Sequence, residues 1–233
     1  MRIQTLPVYS KLAEEIPKQL ETKLPQGWCL SQHQVETYQA LSANDGPEVI
    51  FNTAMTGDGK SLAGQLPSLV QGWRLPLFGM YPTNELIRDQ LRQAEKTWSF
   101  WQQPAMQLAL DSNILDRLME SGDYGQRGEA LLSTLRNYDV VLTNPDIFHY
   151  IMQMYYVRTG RSGDAPDRVF EPLVHKFQQF TFDEFHIFET PQIVSVINAL
   201  LLILETTRNY QRRFLFQSAT PNPLMLDYLQ KAG

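Results

Sequence analysis

The sequence predicts an α/β domain built on a mostly parallel sheet with helices on both faces. Three observations point to it. Short strand-like runs alternate with longer helical runs along the chain. The strand-like runs are apolar almost throughout, as strands buried on both faces are. Five polar phrases (AMTGDGKS, YPTN, TNPD, DEFH and SAT) each begin where such a run ends, and parallel sheets bind ligands beyond the C-terminal ends of their strands.

In chain order, EVIFNTA, PLFGMYP, MQLAL, DVVLTN, FTFDE and RFLFQSA read as strands. SLAGQLPSLVQ, TNELIRDQLRQAEKTW, GEALLSTLR, PDIFHYIMQMYY and TPQIVSVINALLLILETT read as helices. Thr190 and Pro191 read as the N-cap and first residue of the last helix. Residues 121–128 and 159–168, rich in Gly and charge, read as loops. With 233 residues and 43% apolar composition, one sizeable core is expected. The lone cysteine, Cys29, excludes a disulfide scaffold and fits a reducing interior. Neither a signal peptide nor a membrane span is expected, since the longest apolar run, residues 193–205, is too short to cross a bilayer.

The first phrase carries phosphate-binding chemistry. Gly57 and Gly59 let the backbone curl so that successive N–H groups face a triphosphate. Lys60 would reach the β- and γ-phosphates and Ser61 would ligate Mg²⁺. The helix that follows directs its N-terminal dipole at the same anion. Ala54, Met55, Thr56 and Asp58 complete the loop, with Ala54 where the motif usually has Gly. Asp183 and Glu184 follow a buried strand, where one carboxylate can hold the metal and the other polarise an attacking water. Ser218 and Thr220 flank Ala219 after the last strand, and alone they read as a turn or cap.

In this order the three phrases resemble the first RecA-like domain of a superfamily 2 helicase of the DExH type. The resemblance extends from about residue 28 to residue 221 and implies a P-loop NTPase fold acting with ATP and Mg²⁺. It implies catalytic roles for Lys60, Asp183 and Glu184, and metal ligation by Ser61 and Asp183. Nucleotide contacts would come from Gln34, at the adenine edge, and from Ala54, Met55, Thr56, Gly57, Asp58, Gly59, Lys60 and Ser61. His186, Ser218 and Thr220 would couple hydrolysis to strand grip, while Pro82, Thr83, Asn84, Thr143 and Asn144 would contact nucleic acid. The TNPD, DEFH and SATPNP phrases are most similar to the CRISPR-associated helicases of type I interference systems, subtype I-D. That likeness implies a cytoplasmic prokaryotic motor acting on single-stranded DNA, with an RNA-guided surveillance complex and a separate HD nuclease subunit as partners.

On this reading residues 1–27 are an N-terminal extension and residues 28–233 the first RecA-like domain. The second RecA-like domain falls outside the chain, so the segment alone is expected not to unwind DNA. The net charge of −5 is unusual for a nucleic-acid-binding domain. The basic clusters at 208–213 and 158–168 read as solvated faces. Trp98, Phe100 and Trp101 read as packing residues, as do Met154, Tyr155 and Tyr156. Trp28 is open between packing and a wall for adenine. Two other classes stay open: a P-loop phosphotransferase, and a non-catalytic adaptor with a helicase fold.

Overall fold

The computed structural model describes residues 3–6, 11–71, 75–98, 106–153, 167–207, 210–220 and 231. In chain order the elements are β1 (Ile3–Leu6), α1 (Lys18–Glu21), α2 (Gln32–Ser42), β2 (Val49–Asn52), α3 (Lys60–Gln71), β3 (Leu77–Met80) and α4 (Asn84–Trp98). There follow β4 (Gln107–Leu110), α5 (Ser112–Glu120), α6 (Arg127–Asn137), β5 (Val140–Thr143), α7 (Pro145–Met152) and α8 (Asp167–His175). β6 (Gln179–Phe182), a 3-10 turn at Phe185–Ile187, α9 (Thr190–Thr206) and β7 (Arg213–Gln217) complete the order.

All seven strands are parallel, in the order β1-β2-β7-β6-β3-β5-β4. The period of two along each strand divides the core. Phe51, Phe78, Met80, Val141, Phe180, Phe182, Phe214 and Phe216 face one side, packed with apolar residues of α5 to α9. Leu77, Val140 and Leu142 face the other with residues of α1 to α4, and Ile50 and Leu215 meet Ala40 and Leu41 of α2. Helices therefore cover both faces, as the apolar strands required.

Phenyl rings tie the central strands together. Phe216 lies parallel to Phe51 at 5.1 Å and to Phe182 at 4.5 Å, and Phe180 stacks on Phe214 at 5.1 Å. Phe185, just past the acidic pair, meets the Phe216 ring edge-on at 5.0 Å. The rings thus link three strands to the segment that carries Glu184.

The structure departs from several expectations. Residues 3–6, within the stretch read as an extension, form edge strand β1 beside β2. α1, α2, α5 and α8 had not been expected as helices. α9 is capped at Glu189, one residue earlier than expected, with the Glu189 N–H donating to Gln192 Oε1 at 2.8 Å. Arg212 and Arg213 do not form a solvated face. Both are buried, their guanidinium groups donating to Val174 O at 2.7 Å and Ala43 O at 2.6 Å. The tertiary fold brings those helix-end carbonyls to them, and a buried charge is tolerated when it is hydrogen-bonded. Arg158, Arg161, Arg208, Phe100, Trp101, Met154, Tyr155 and Tyr156 lie outside the described residues, as do the side chains of Trp98 and Arg168. No described helix is long and apolar enough to cross a membrane.

Replacing Phe216 by Ala should cost about 3–5 kcal/mol, because its ring holds two neighbouring strands and Phe185 at once. Urea unfolding measures this, and a loss under 1 kcal/mol would show that the ring ladder contributes little.

Candidate nucleotide site

Strand ends place the site. β2, β6 and β7 lie side by side, with Asn52 opposite Gln217 and Phe182 opposite Phe216. The chain leaving each strand delivers the phosphate loop, the Asp183–Glu184 pair and Ser218 to a common edge. Two backbone bonds bind this edge further: Ser218 N–H donates to Asn52 O at 3.1 Å, and Asp183 N–H to Met80 O at 2.8 Å.

The loop curls through Gly57 at φ +92° and Gly59 at φ +75°, angles that favour glycine. A Cβ on Gly59 would also collide with the Gln34 amide. Met55, Thr56 and Gly57 form the exposed crest, while Ala54 is buried at the base. Lys60 is only 5% exposed, and its ammonium donates to Ala54 O at 3.0 Å. The same nitrogen lies 3.7 Å from Glu184 Oε1. Lys60 thus stands between the loop's own carbonyl and the acidic pair, at the mouth of the helix N-terminus where an anion would bind.

α2 holds the loop from behind. Gln34 donates from Nε2 to Gly59 O at 3.1 Å and accepts the Ser31 N–H on Oε1 at 2.9 Å. Both ends of its amide are therefore engaged by backbone, and in this structure Gln34 supports the loop rather than presenting an edge to a base. His33, Thr37, Asn52 and Gln217, none of them expected from sequence, belong to the same support. His33 bonds Asp58 O at 2.9 Å, Asn52 Oδ1 accepts the Ala54 N–H at 3.1 Å, and the Gln217 amide donates to Lys60 O. Asn52 and Gln217 are fully buried amides at the ends of apolar strands, and a polar residue there is the signal that could have found them.

Asp183 is 6% exposed. One of its oxygens accepts the Glu184 N–H at 3.0 Å, and the other accepts the Ser61 hydroxyl at 3.3 Å. Burial first, and the Glu184 charge second, push its carboxyl up to about 6. Glu184 is the one non-glycine residue at positive φ (+46°) among those described. This backbone bend turns its carboxylate toward Lys60. Its other oxygen, Oε2, is 3.4 Å from His186 Nδ1. That nitrogen is also 2.9 Å from Ser218 Oγ. The Ser218 hydroxyl donates to Thr220 O at 2.9 Å and accepts the Thr220 N–H at 3.1 Å. The direction of the bond between His186 Nδ1 and Ser218 Oγ follows the imidazole tautomer. An unbroken series of contacts therefore runs from Lys60 through Glu184 and His186 to Ser218 and Thr220.

The oxygen-only pair of Ser61 and Asp183 fits a hard divalent cation. A buried carboxylate with a raised pKa and no cation in bonding contact is the physical sign of the fit. No group of three or more His, Cys, Asp or Glu side chains among the described residues could hold a metal alone, so Mg²⁺ here would depend on phosphate oxygens and water for its remaining ligands.

The five expected strand-contact residues gather at a neighbouring part of the edge, after β3 and β5. Thr83 accepts the Leu86 N–H at 3.3 Å, and Asn144 caps α7 by accepting the Ile147 N–H at 2.9 Å. Asn144 Nδ2 donates to Asn84 Oδ1 at 2.9 Å, joining the two phrases. Pro82, Asn84 and Asn144 are half-buried and Thr83 is exposed. Thr143 is fully buried, its hydroxyl donating to Leu110 O at 2.8 Å, so its side chain positions Asn144 instead of meeting solvent. The Trp28 backbone N–H donates to Pro25 O at 3.1 Å, in the turn that precedes α2.

A sequence model described as DEAD/DEAH box helicase matches residues 31–227. No curated protein matches the chain. Among solved structures, the yeast DEAD-box splicing factor Prp28 is similar with a TM-score of 0.64 at 15% identity, covering 95% of this chain and 49% of that one. The DUF1998 helicase MrfA bound to DNA and AMPPNP is similar with a TM-score of 0.58 at 19% identity, covering 92% of this chain and 28% of that one. A DEAD box protein from Methanococcus jannaschii has a TM-score of 0.55 at 16% identity, with 94% and 51% covered. At these identities the likeness is one of fold, RecA-like, and this chain spans about half or less of each of those proteins.

Asp183→Asn should stabilise the metal-free, nucleotide-free protein above pH 6. Because the folded-state pKa is raised from 3.8 to about 6, the native state retains a proton that the unfolded chain has released in that window. Stability therefore falls as pH rises from 3.8 to 6 and stays reduced above it. At pH 7.5 with chelator, urea unfolding should give the Asn variant a gain on the order of 2 kcal/mol, vanishing near pH 4. A variant less stable than wild type at pH 7.5 would contradict the raised pKa.

Proposed function

This chain belongs to the DEAD/DEAH box helicase family, and from that premise we propose that it binds and hydrolyses ATP·Mg²⁺ to drive movement along a DNA single strand. At the coarser level it is a helicase-type, ATP-dependent nucleic-acid motor domain. The observation that carries the site assignment is the convergence of Lys60, Ser61, Asp183 and Glu184, supplied by two segments far apart in the chain, within hydrogen-bond or ion-pair reach of one another.

The roles follow from placement. The loop N–H groups and Lys60 bind the phosphates, with Lys60 exchanging Ala54 O for phosphate oxygen. Ser61 and Asp183 hold Mg²⁺, which screens the phosphate charge when bound. Glu184 orients the attacking water and receives its proton, a role open to a carboxylate already bent toward the γ-phosphate side of Lys60. A displacement of the Glu184 carboxylate would change the 3.4 Å approach of its Oε2 to His186 Nδ1 and, through His186, the contact with Ser218, which would convey the nucleotide state toward the strand-binding edge. Thr83, Asn84 and Asn144 would hold the strand backbone there, with Pro82 shaping the turn.

For the biological setting, the phrasing of TNPD, DEFH and SATPNP supports the helicase of a type I CRISPR interference system, subtype I-D. It would act in the prokaryotic cytoplasm on DNA exposed by an RNA-guided complex whose HD nuclease lies on another subunit. A second RecA-like domain would supply the opposite wall of the ATP cleft.

In the intact protein, Lys60→Ala and Glu184→Gln should each lower the rate of ATP hydrolysis at least 100-fold, about 2.7 kcal/mol of lost transition-state stabilisation. Wild-type turnover should rise with single-stranded DNA more than with RNA of the same length. Normal turnover in either variant overturns the site assignment. Stimulation by RNA alone overturns the DNA reading, and turnover indifferent to any nucleic acid favours a phosphotransferase.

A further inference from the structure

The imidazole of His33 is fully buried at the start of α2, behind the phosphate loop. Its surroundings fix its proton. The Ala54 N–H can only donate, and it meets Asn52 Oδ1 at 3.1 Å. That assigns the orientation of the Asn52 amide, whose Nδ2 then faces two groups, His33 Nδ1 at 3.2 Å and Thr37 Oγ1 at 3.1 Å. Thr37 can accept from Asn52 because its own hydroxyl donates to His33 O at 2.6 Å. His33 Nδ1 must therefore be a bare lone pair. The single remaining hydrogen sits on Nε2, where the partner is Asp58 O at 2.9 Å, a carbonyl that can only accept. Every donor in this buried network meets an acceptor, and one tautomer satisfies all of them.

We infer that His33 is a positioning residue for the phosphate loop, locked by Asn52 as the neutral Nε2–H tautomer so that it holds Asp58 O and sets the curvature of residues 54–59. The loop is then fixed at both ends from β2 and α2. Asn52 takes Ala54 N at the start, while His33 and Gln34 take the consecutive carbonyls of Asp58 and Gly59 at the end. Turning those two carbonyls backward onto α2 leaves the succeeding N–H groups free to face forward, where the phosphates would bind. A protonated ring would set an Nδ1–H against the Asn52 N–H and break the set. Burial opposes that charge by holding the His33 pKa below its ordinary value. The charged groups around it are Asp58 and Glu36, which favour protonation, and Lys60, which disfavours it. The inference rests on the ATP-binding reading for its binding arm, whereas the tautomer can be tested without nucleotide.

Two measurements test it. In ¹⁵N-imidazole spectra of the nucleotide-free protein, His33 should show the Nε2–H pattern at pH 8 and still at pH 7. Asn52→Asp, which puts an acceptor where the donor stood, should convert it to the doubly protonated form at pH 7. In equilibrium binding of Mg²⁺ and a fluorescent ATP analogue, His33→Phe should bind roughly tenfold more weakly, since it strands Asp58 O and Asn52. His33→Gln, whose amide can still donate to Asp58 O, should recover to within about threefold of wild type. A purely space-filling residue would favour Phe over Gln. An Nδ1–H tautomer, a ring that titrates at or above the ordinary histidine value, or equal affinity of wild type and His33→Phe overturns the inference alone. A wild-type protein that binds no ATP analogue, with the tautomer as described, overturns the functional reading and with it the link to nucleotide, but leaves the loop geometry standing.

Discussion

Two adjacent carboxylates at the end of a buried strand are the constraint around which this domain is arranged. Asp183 is held in place by its neighbour's N–H and by the Ser61 hydroxyl, neither of which carries charge. Lys60 is in ion-pair reach of Glu184, and burial, with the Glu184 charge beside it, raises the Asp183 carboxyl to about 6. Two buried carboxylates side by side are costly unless a cation offsets them, and a divalent ion arriving with phosphate would do so. Three phenyl-stacked strands flank the segment, and Phe185 anchors the chain directly after the αL bend at Glu184. A preorganised charge that awaits its counter-ion is what electrostatic catalysis requires.

The same arrangement explains why the loop is braced so heavily. Its carbonyls and N–H groups compete for the same curvature, and Gly57 and Gly59 alone would permit many shapes. Gln34, His33 and Asn52 remove that freedom from one side, and the Gln217 amide engages Lys60 O from the other. Lys60 is consequently delivered at a fixed height above α3. The contact series from Glu184 through His186 to Ser218 can register a change at the acidic pair because the opposite wall does not yield.

Much of this was legible in the sequence because it depends on local rules. Six strands could be read from apolar runs, and the phosphate loop from its glycines and lysine. That the polar phrases share one sheet edge followed from parallel topology. What was not legible depends on tertiary partners. Arg212 and Arg213 looked like surface charge because arginine is rarely buried, and nothing local announces the carbonyls of Val174 and Ala43 that receive them. α2 escaped as a helix because its inward face mixes His33, Gln34 and Thr37 with Val35, Tyr38, Ala40 and Leu41, which blurs the helical period that sequence reading relies on. The role of His33 was hidden for the same reason, since it is defined by Asn52 and Asp58, which the chain brings to it only on folding.

The acidic character of the chain is compatible with the proposed strand contacts at the edge after β3 and β5. The groups presented there by the two motif phrases are neutral: the hydroxyl of Thr83 and the linked amides of Asn84 and Asn144. They sit at the N-termini of α4 and α7, whose partial positive charge favours phosphate. Glu85 and Asp146 in the first turns of those helices offset part of that charge. On the proposed reading, grip comes from directed hydrogen bonds and helix ends instead of a basic patch. Affinity of that kind is set by the geometry of a few groups, so a small displacement of α7 relative to α4 is enough to weaken it. Asn144 would feel such a displacement directly, because one side chain both caps α7 and bonds Asn84 at the start of α4. A motor that must release its track in every cycle is better served by a contact that geometry can break than by charge attraction, which persists over a Debye length whatever the local conformation.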